Sequence, residues 1–385
     1  MYSTDNLRLQ NVQDVVSPAM LSAELPRTPE ASFTVHNTRA AISNILHGHE
    51  DRILVVVGPC SIHDPLAARE YARLLHSAIE EHANELLIVM RVYFEKPRTT
   101  SGWKGLINDP GLDQSFRIND GLRLARELLV DLAEMGVPAG TELLDMMTPQ
   151  YLIDLISWGA IGARTTESQV HRQLASGLCC PVGFKNGTSG DVEIAIHGVL
   201  SAAQPHSFLA HTKSGQTAIF ATTGNLDCHV VLRGGRNSTN YASDWVARVG
   251  ARLEYAGLEP RMMVDCSHAN SGKDHRIQPY VCRAVADQIK AGERRIMGVM
   301  LESNLVGGAQ KPAPRERLIY GQSITDPCMG WEQTLPLLRE LAKAASSRRL
   351  LRPMETRFCV AGSRNGKASR ASAAATSEGH SYLKH

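Results

Sequence analysis

The sequence predicts a (β/α)8 TIM barrel of the α/β class that carries an N-terminal arm and an inserted β-hairpin. Eight short apolar runs, typical of strands buried on both faces, alternate with amphipathic helical segments. Such alternation indicates a parallel sheet, and eight repeats suit a closed barrel. Polar or reactive residues follow every predicted strand, which favours a barrel mouth over the alternative, a doubly wound open sheet.

The first repeat shows this pattern clearly. Residues 53–57 are five consecutive apolar residues, followed by Gly58-Pro-Cys60 and then by Asp64-Pro65. Asp suits the N-cap of a helix and Pro suits its first position, so a helix is expected over residues 65–82. Cys60 is therefore expected just beyond the carboxyl end of a buried strand.

The other repeats follow in order along the chain. The remaining predicted strands are residues 86–94, 137–142, 160–164, 181–185, 228–235, 262–268 and 295–302. The other predicted helices are residues 36–47, 120–135, 148–159, 191–203, 243–256, 277–291 and 332–346. Two alternating segments, residues 207–210 and 217–220, flank Lys213-Ser-Gly215 and predict a β-hairpin.

These elements divide the chain into three parts. Residues 1–50 are predicted as an N-terminal arm that packs on the barrel or contacts a neighbouring subunit. Residues 51–348 are predicted as the catalytic barrel, including the hairpin insertion at 205–228. Residues 349–385, rich in Ser, Ala, Gly, Lys and Arg without apolar periodicity, are predicted as a disordered tail.

Composition excludes several classes of protein. The 385 residues are 43% hydrophobic and 21% charged with a net charge of +2, which is ordinary for a globular protein. Neither nucleic acid nor a membrane is an expected partner, because the basic residues are dispersed and no apolar run is long enough to cross a bilayer. Eight cysteines without a Cys-x-x-Cys pair, and no signal peptide, indicate a cytoplasmic protein with free thiols.

One set of residues, at strand ends and in the loop after the eighth strand, has the chemistry of a metal site. Its members are Cys60, His268, Glu302 and Asp326. One sulfur, one imidazole and two carboxylates suit a single divalent ion of Mn, Fe, Co or Zn better than Mg or Ca. A lone Cys or His is more often structural, so the prediction depends on their shared place at the mouth.

A second set is cationic. It comprises Arg91, Arg164, Lys185 and Arg233 at strand ends, with Lys96 and Arg98 in the long loop after the second strand. Buried cations need anionic partners to offset desolvation and mutual repulsion. A guanidinium group pairs well with phosphate and carboxylate. Two phosphorylated or carboxylated substrates are therefore expected.

Several sequence motifs resemble those of a single protein family. They are Gly58-Pro-Cys-Ser-Ile-His-Asp-Pro65, Arg91-Val-Tyr-Phe-Glu-Lys-Pro-Arg-Thr-Thr100, Gly102-Trp-Lys-Gly-Leu-Ile-Asn-Asp-Pro110, Ile161-Gly-Ala-Arg-Thr-Thr-Glu-Ser168, Pro181-Val-Gly-Phe-Lys-Asn-Gly-Thr188 and Leu232-Arg-Gly-Gly235. Over roughly residues 5–348 the chain resembles the class I 3-deoxy-D-arabino-heptulosonate-7-phosphate (DAHP) synthases of the microbial, feedback-regulated type. The resemblance implies a transferase that condenses phosphoenolpyruvate, erythrose 4-phosphate and water to DAHP and phosphate, the first step of the shikimate pathway of aromatic amino acid biosynthesis.

The resemblance also assigns residues. It implies the metal ligands reached above, and erythrose 4-phosphate contacts at Arg98 and Thr99. The implied phosphoenolpyruvate pocket consists of Arg91, Lys96, Glu142, Ala163, Arg164, Lys185 and Arg233. Lys96, Glu142 and Lys185 are the expected catalytic residues. Chemical type and position at the strand ends suggest that Lys96 or a metal-bound water donates a proton, and that Glu142 orients or deprotonates the attacking water.

Feedback inhibition is a further implication. In the family an aromatic amino acid binds near the hairpin, with help from the arm of a neighbouring subunit, so a homodimer or homotetramer is expected. The implied positions are Pro149, Gln150, Leu174, Leu178, Phe208, Ala210 and Phe220, with Asp5 or Asn6. Ala210 stands where phenylalanine-sensitive members usually carry Ser, and Gly215-Gln216 and residues 324–328 favour tryptophan over tyrosine.

Two other functions are open to such residues. Lys185 at a buried strand end suits a Schiff-base aldolase, which borohydride trapping would reveal. A catalytically silent amino-acid sensor is the second alternative, although no residue of the metal set is missing. The related octulosonate synthases lack the Lys-Pro-Arg-Thr-Thr loop and the hairpin.

Overall fold

A computed structural model describes residue 2 and residues 4–98 and 102–351. The strands of the barrel and of the hairpin, in chain order, are β1 (Ile53–Gly58), β2 (Leu86–Arg91), β3 (Ala139–Glu142), β4 (Ile156–Ile161), β5 (Val182–Lys185), β6 (Ser207–His211), β7 (Thr217–Ala221), β8 (Cys228–Leu232), β9 (Met262–Asp265) and β10 (Ile296–Asn304). All except β6 and β7 form one parallel sheet that closes where β1 pairs with β10. This closure confirms the predicted barrel.

Helices cover the outside of the sheet. They are α1 (Pro18–Glu24), α2 (Pro29–Leu46), α3 (Pro65–Glu81), α4 (Ile118–Glu134), α5 (Thr148–Leu152), α6 (Gln169–Ser176), α7 (Glu193–Ala202), α8 (Ser243–Tyr255), α9 (Gln278–Lys290) and α10 (Trp331–Leu350). Asp64 accepts hydrogen bonds from the first turn of α3, as its sequence predicts. Within the described ranges, every helix is too short or too polar for a membrane span.

The barrel core has two layers because side chains alternate along each strand. Leu54 and Val56 of β1 face inward and pack with Trp158, whereas Val55 and Val57 face the helices. A Cβ on Gly183 would lie 2.6 Å from the Trp158 ring. Glycine at this position therefore lets the largest side chain of the interior fit inside the barrel.

The N-terminal arm is partly built into this core. Ile42 and Ile45 of α2 are buried against the inward-facing residues of the barrel. The Arg39 guanidinium donates to the Ile156 carbonyl at 2.9 Å, which ties α2 to the start of β4. The apolar side chains of α2 close the amino-terminal end of the barrel, so α2 belongs to the barrel core. The expected domain boundary at residue 50 assigns α2 to the arm instead.

The hairpin insertion is present as predicted. Strands β6 and β7 are antiparallel and, among the described residues, form a separate two-stranded sheet with Phe208 opposite Phe220. The Lys213 carbonyl at its turn accepts a hydrogen bond from Ala19 N at 2.7 Å. The hairpin turn is therefore attached to the beginning of α1.

Several elements differ from prediction. Helix α2 begins at Pro29 rather than at residue 36, and the sequence does not predict α1 or α6. The helix expected over residues 148–159 ends at Leu152, and β4 begins at Ile156, because Trp158 and its neighbours pair with β3 and fill the barrel. The last helix extends to Leu350, beyond the predicted start of the tail at residue 349. There Arg349 pairs with Asp51 at 2.9 Å, which holds the end of the helix against the barrel. The rest of the predicted tail, residues 352–385, lies outside the described residues.

Candidate active site

The predicted site residues lie together at the carboxyl ends of the strands. A cavity of about 110 Å³ is lined by Lys96, Arg98, Glu142, Ala163, Arg164, Lys185, Arg233, His268 and Asp326. Cys60, Arg91 and Glu302 are buried beside it, each 2% exposed or less. Thr99 lies outside the described residues. The mouth is therefore walled by loops and strand ends from around the barrel.

Three of the four predicted metal ligands form a compact donor group. The Cys60 sulfur and one carboxylate oxygen each from Glu302 and Asp326 lie within 4.8 Å of one another. The fourth, His268, places Nε2 3.6 Å from Glu302 Oε1. A sulfur, an imidazole nitrogen and two carboxylates in this arrangement suit a divalent transition metal.

The protonation states of these donors depend on their surroundings. Burial raises the pKa of the Cys60 thiol, and the Glu302 charge raises it further, while Lys96 at 3.1 Å opposes both. Burial alone would raise the pKa of Glu302, but His268 and Arg91 lower it overall. Glu302 is therefore ionised even when no metal is bound. Cys60, by contrast, requires a bound cation to favour its thiolate form.

Asp265 orients His268 and was not identified from the sequence. Its Oδ2 lies 2.8 Å from His268 Nδ1 and 3.2 Å from Lys185 Nζ, and its other oxygen accepts from the Ser267 hydroxyl at 2.6 Å. Burial would raise the pKa of Asp265, but His268 and Lys185 hold it well below its usual range. An ionised Asp265 leaves His268 Nε2 directed at Glu302. Asp265 could have been found from the sequence, because it is an acidic residue at the end of a buried strand.

The cationic set lies around the same donors. Arg91 is fully buried, donates to Glu302 at 2.9 Å and lies over the Tyr93 ring at 3.6 Å from its centre. Burial lowers the pKa of Lys185 and of Arg233, although Asp265 opposes it in both. The expectation that all four strand-end cations are buried is wrong for Arg164. It is exposed because β4 ends at Ile161 and Arg164 lies in the following turn.

The loop after β2 brings its cations over the mouth. Lys96 Nζ donates to the Cys60 carbonyl at 3.3 Å. Arg98 donates through Nε to the Trp103 carbonyl at 2.8 Å, and the buried Trp103 ring in turn donates to Asp109 O at 2.8 Å. Trp103 therefore connects two parts of this loop through hydrogen bonds to Arg98 and Asp109. A collection of cations around a small cavity can bind phosphate or carboxylate groups.

A second, larger cavity of about 930 Å³ lies beside the hairpin. It is lined by all seven barrel and hairpin positions expected to bind an effector, namely Pro149, Gln150, Leu174, Leu178, Phe208, Ala210 and Phe220. Met146, Cys179 and Thr222 also line it and were not predicted. Asp5 and Asn6 are exposed and are not among the residues that line it.

Comparisons with known proteins agree with this geometry. Residues 28–339 match the model of the DAHP synthetase I family. The chain is 57% identical over 348 residues to the Phe-sensitive phospho-2-dehydro-3-deoxyheptonate aldolase of Escherichia coli K12, covering 90% of this chain and 99% of that one. It is 51% identical over 349 residues to the Tyr-sensitive enzyme of Salmonella typhimurium, covering 90% and 98%.

A comparison with a solved structure shows that the fold is also shared. The phospho-2-dehydro-3-deoxyheptonate aldolase of Francisella tularensis SCHU S4 superposes with a TM-score of 0.87 at 52% identity, covering 89% of this chain and 99% of that one. The match of the family model, the identity to its relatives and the shared barrel lead to one conclusion. The chain belongs to the DAHP synthetase I family.

Proposed function

We propose that the protein is a DAHP synthase that condenses phosphoenolpyruvate with erythrose 4-phosphate and water to DAHP and phosphate. The observation that carries the proposal is the shared mouth, where the compact Cys60, Glu302 and Asp326 donor group adjoins a cavity walled by cations. Such a site offers ligands for one divalent ion beside cations that pair with phosphate and carboxylate groups. The family membership supports the same reaction.

The side chains divide the work as follows. Phosphoenolpyruvate is held by four cations, namely Arg91, Arg164, Lys185 and Arg233. Arg98 holds the phosphate of the aldose. When bound, a divalent ion would act as a Lewis acid toward the aldehyde. C3 of phosphoenolpyruvate attacks that carbonyl carbon, and Lys96 supplies the proton for its oxygen. Water adds at C2, with Glu142 orienting or deprotonating it, and phosphate leaves by C–O cleavage.

The proposal includes feedback control by an aromatic amino acid in the second cavity. Its apolar wall, with Phe208 and Phe220 at 6.3 Å between ring centres, suits an aromatic side chain. The two relatives named above carry Phe and Tyr sensitivity in their names, whereas the residues at 210 and 215–216 favour tryptophan. A homodimer or homotetramer would bring Asp5 or Asn6 of a neighbouring subunit to this cavity.

The test measures phosphate release from the two substrates on chelator-treated protein, before and after addition of Mn²⁺. We expect activity only with the metal, and a decrease with one of phenylalanine, tyrosine or tryptophan. Full activity after removal of metal, combined with borohydride trapping of substrate on Lys185, would replace the proposal with a Schiff-base aldolase. Binding of an aromatic amino acid without any turnover would favour a sensor.

A further inference from the structure

Lys273 is a cation at the mouth that the mechanism above does not use. Its side chain lines the small cavity together with Arg98, Thr188 and Asp326. Its Nζ lies 3.2 Å from both carboxylate oxygens of Asp326. The side chain is about half exposed, at 52%. A predicted metal ligand is therefore already paired with a cation of the chain itself.

Local backbone structure fixes the position of the Lys273 Cα. His268 begins a short 3-10 turn that ends at Ser271, and Lys273 N donates to the His268 carbonyl at 2.6 Å. Lys273 has φ +63° and His268 has φ +52°, a left-handed conformation that costs energy for residues other than glycine. A turn of this kind keeps the Cα of Lys273 next to the mouth while its four-carbon side chain stays free to move.

The pairing cannot persist unchanged when a divalent ion binds. An ion held by Cys60, Glu302 and one oxygen of Asp326 would compete for that oxygen with the Lys273 ammonium, which now contacts both oxygens of the carboxylate. It would also repel the ammonium across a distance of a few ångströms, where like charges interact strongly. Because Lys273 is long, flexible and half exposed, it can leave Asp326 without moving the backbone.

The released ammonium has an anionic ligand within reach. The cavity that Lys273 lines is also lined by Arg98, the residue proposed to bind the phosphate of the aldose. We propose that Lys273 pairs with Asp326 in the metal-free protein and, once the metal binds, becomes a further ligand of the aldose phosphate. The inference rests on the proposed function and adds a residue to its substrate site.

The test compares Lys273→Met with Lys273→Arg and with the matched control Lys343→Met. Methionine is one atom shorter than lysine and lacks the charge, and like lysine it is an L residue with a Cβ, so the strain at φ +63° is unchanged. Lys343 is an exposed lysine of α10, away from the mouth, and its replacement removes the same charge. Each protein is assayed for Mn²⁺ binding by equilibrium dialysis without substrates, and for the KM of each substrate with saturating Mn²⁺.

Lys273→Met is expected to bind Mn²⁺ about two- to fivefold more tightly, the size of effect that a partly exposed ion pair has. It is also expected to raise the KM for erythrose 4-phosphate by about tenfold, as for loss of a hydrogen bond to a charged group. The KM for phosphoenolpyruvate and the properties of Lys343→Met should stay at wild-type values, and Lys273→Arg should restore the KM for the aldose.

Two results would overturn the inference. One is wild-type Mn²⁺ affinity in Lys273→Met, which would show that the lysine does not compete for Asp326. The other is an unchanged KM for erythrose 4-phosphate, or equal increases for both substrates. If instead the wild-type protein makes no DAHP, the proposed function itself fails, and the Mn²⁺ measurement still decides whether Lys273 opposes the metal.

Discussion

Thr148 Oγ1 donates a hydrogen bond to Glu95 Oε2 at 3.1 Å, which joins the loop after β2 to the first residue of α5. Glu95 immediately precedes Lys96, and α5 contributes Pro149 and Gln150 to the larger cavity. The contact therefore lies between the mouth and the proposed effector site. Glu95 is only 8% exposed, and burial, with the charge of Asp145, raises its pKa to about 7.

This carboxyl group should make stability depend on pH. A pKa raised from 4.5 to about 7 means that the folded protein keeps a proton that the unfolded chain releases between those values. Stability should therefore fall as pH rises through this window, by at most about 3 kcal/mol. Glu95→Gln, which keeps an oxygen acceptor for Thr148, should remove that fall in urea unfolding from pH 5 to pH 8.

The matched control is Glu134→Gln, an exposed carboxyl group at the end of α4. It should keep the wild-type dependence on pH. Equal pH profiles for wild type and Glu95→Gln would show that Glu95 is ionised throughout and that its pKa is ordinary.

Asp265 should matter for metal affinity more than for folding of the barrel. Asp265→Asn removes the charge that orients His268 and pairs with Lys185. Replacing such a supporting carboxylate typically weakens metal binding about 10- to 100-fold. Equilibrium dialysis with Mn²⁺ measures the effect directly, with Asp244→Asn on the exposed face of α8 as the control. Wild-type Mn²⁺ affinity in Asp265→Asn would show that Asp265 does not orient His268 for metal binding.

Ala210 offers a way to separate inhibition from catalysis. It lies on β6 and lines the larger cavity, so Ala210→Phe should fill part of the space proposed for the effector. We expect turnover near the wild-type rate and at least a tenfold rise in the inhibitor concentration needed for half inhibition, the size of a clash costing about 1.4 kcal/mol. Ile219→Phe, on the exposed face of the same hairpin, is the control. Unchanged inhibition in Ala210→Phe would place the effector elsewhere.

The contribution of α2 to the barrel can be measured by unfolding. Ile42 is fully buried among the inward-facing residues, and Ile42→Ala should cost about 2–5 kcal/mol. Phe33 of the same helix is 69% exposed, so Phe33→Ala should change the free energy of unfolding by no more than about 0.5 kcal/mol. Equal effects of the two changes in urea would mean that α2 does not belong to the core.

Much of the fold follows from local pattern. The buried run before Gly58 and the cap at Asp64 predict β1 and α3 correctly, because two-sided burial and capping act on neighbouring residues. The predicted start of β4 is wrong, since the mainly apolar segment 152–158 suits a helix or a buried strand equally well. Pairing with β3 decides between them, and that pairing joins residues distant in sequence.

The candidate site divides in the same way. The chemical types at the strand ends, and with them the expectation of a metal beside anionic substrates, follow from the sequence. The tertiary structure alone decides that Asp265 lies between His268 and Lys185, that Lys273 contacts Asp326 and that Arg164 is exposed. These relationships depend on which strands are neighbours and where each turn directs its side chains, which single-residue chemistry and local periodicity do not specify.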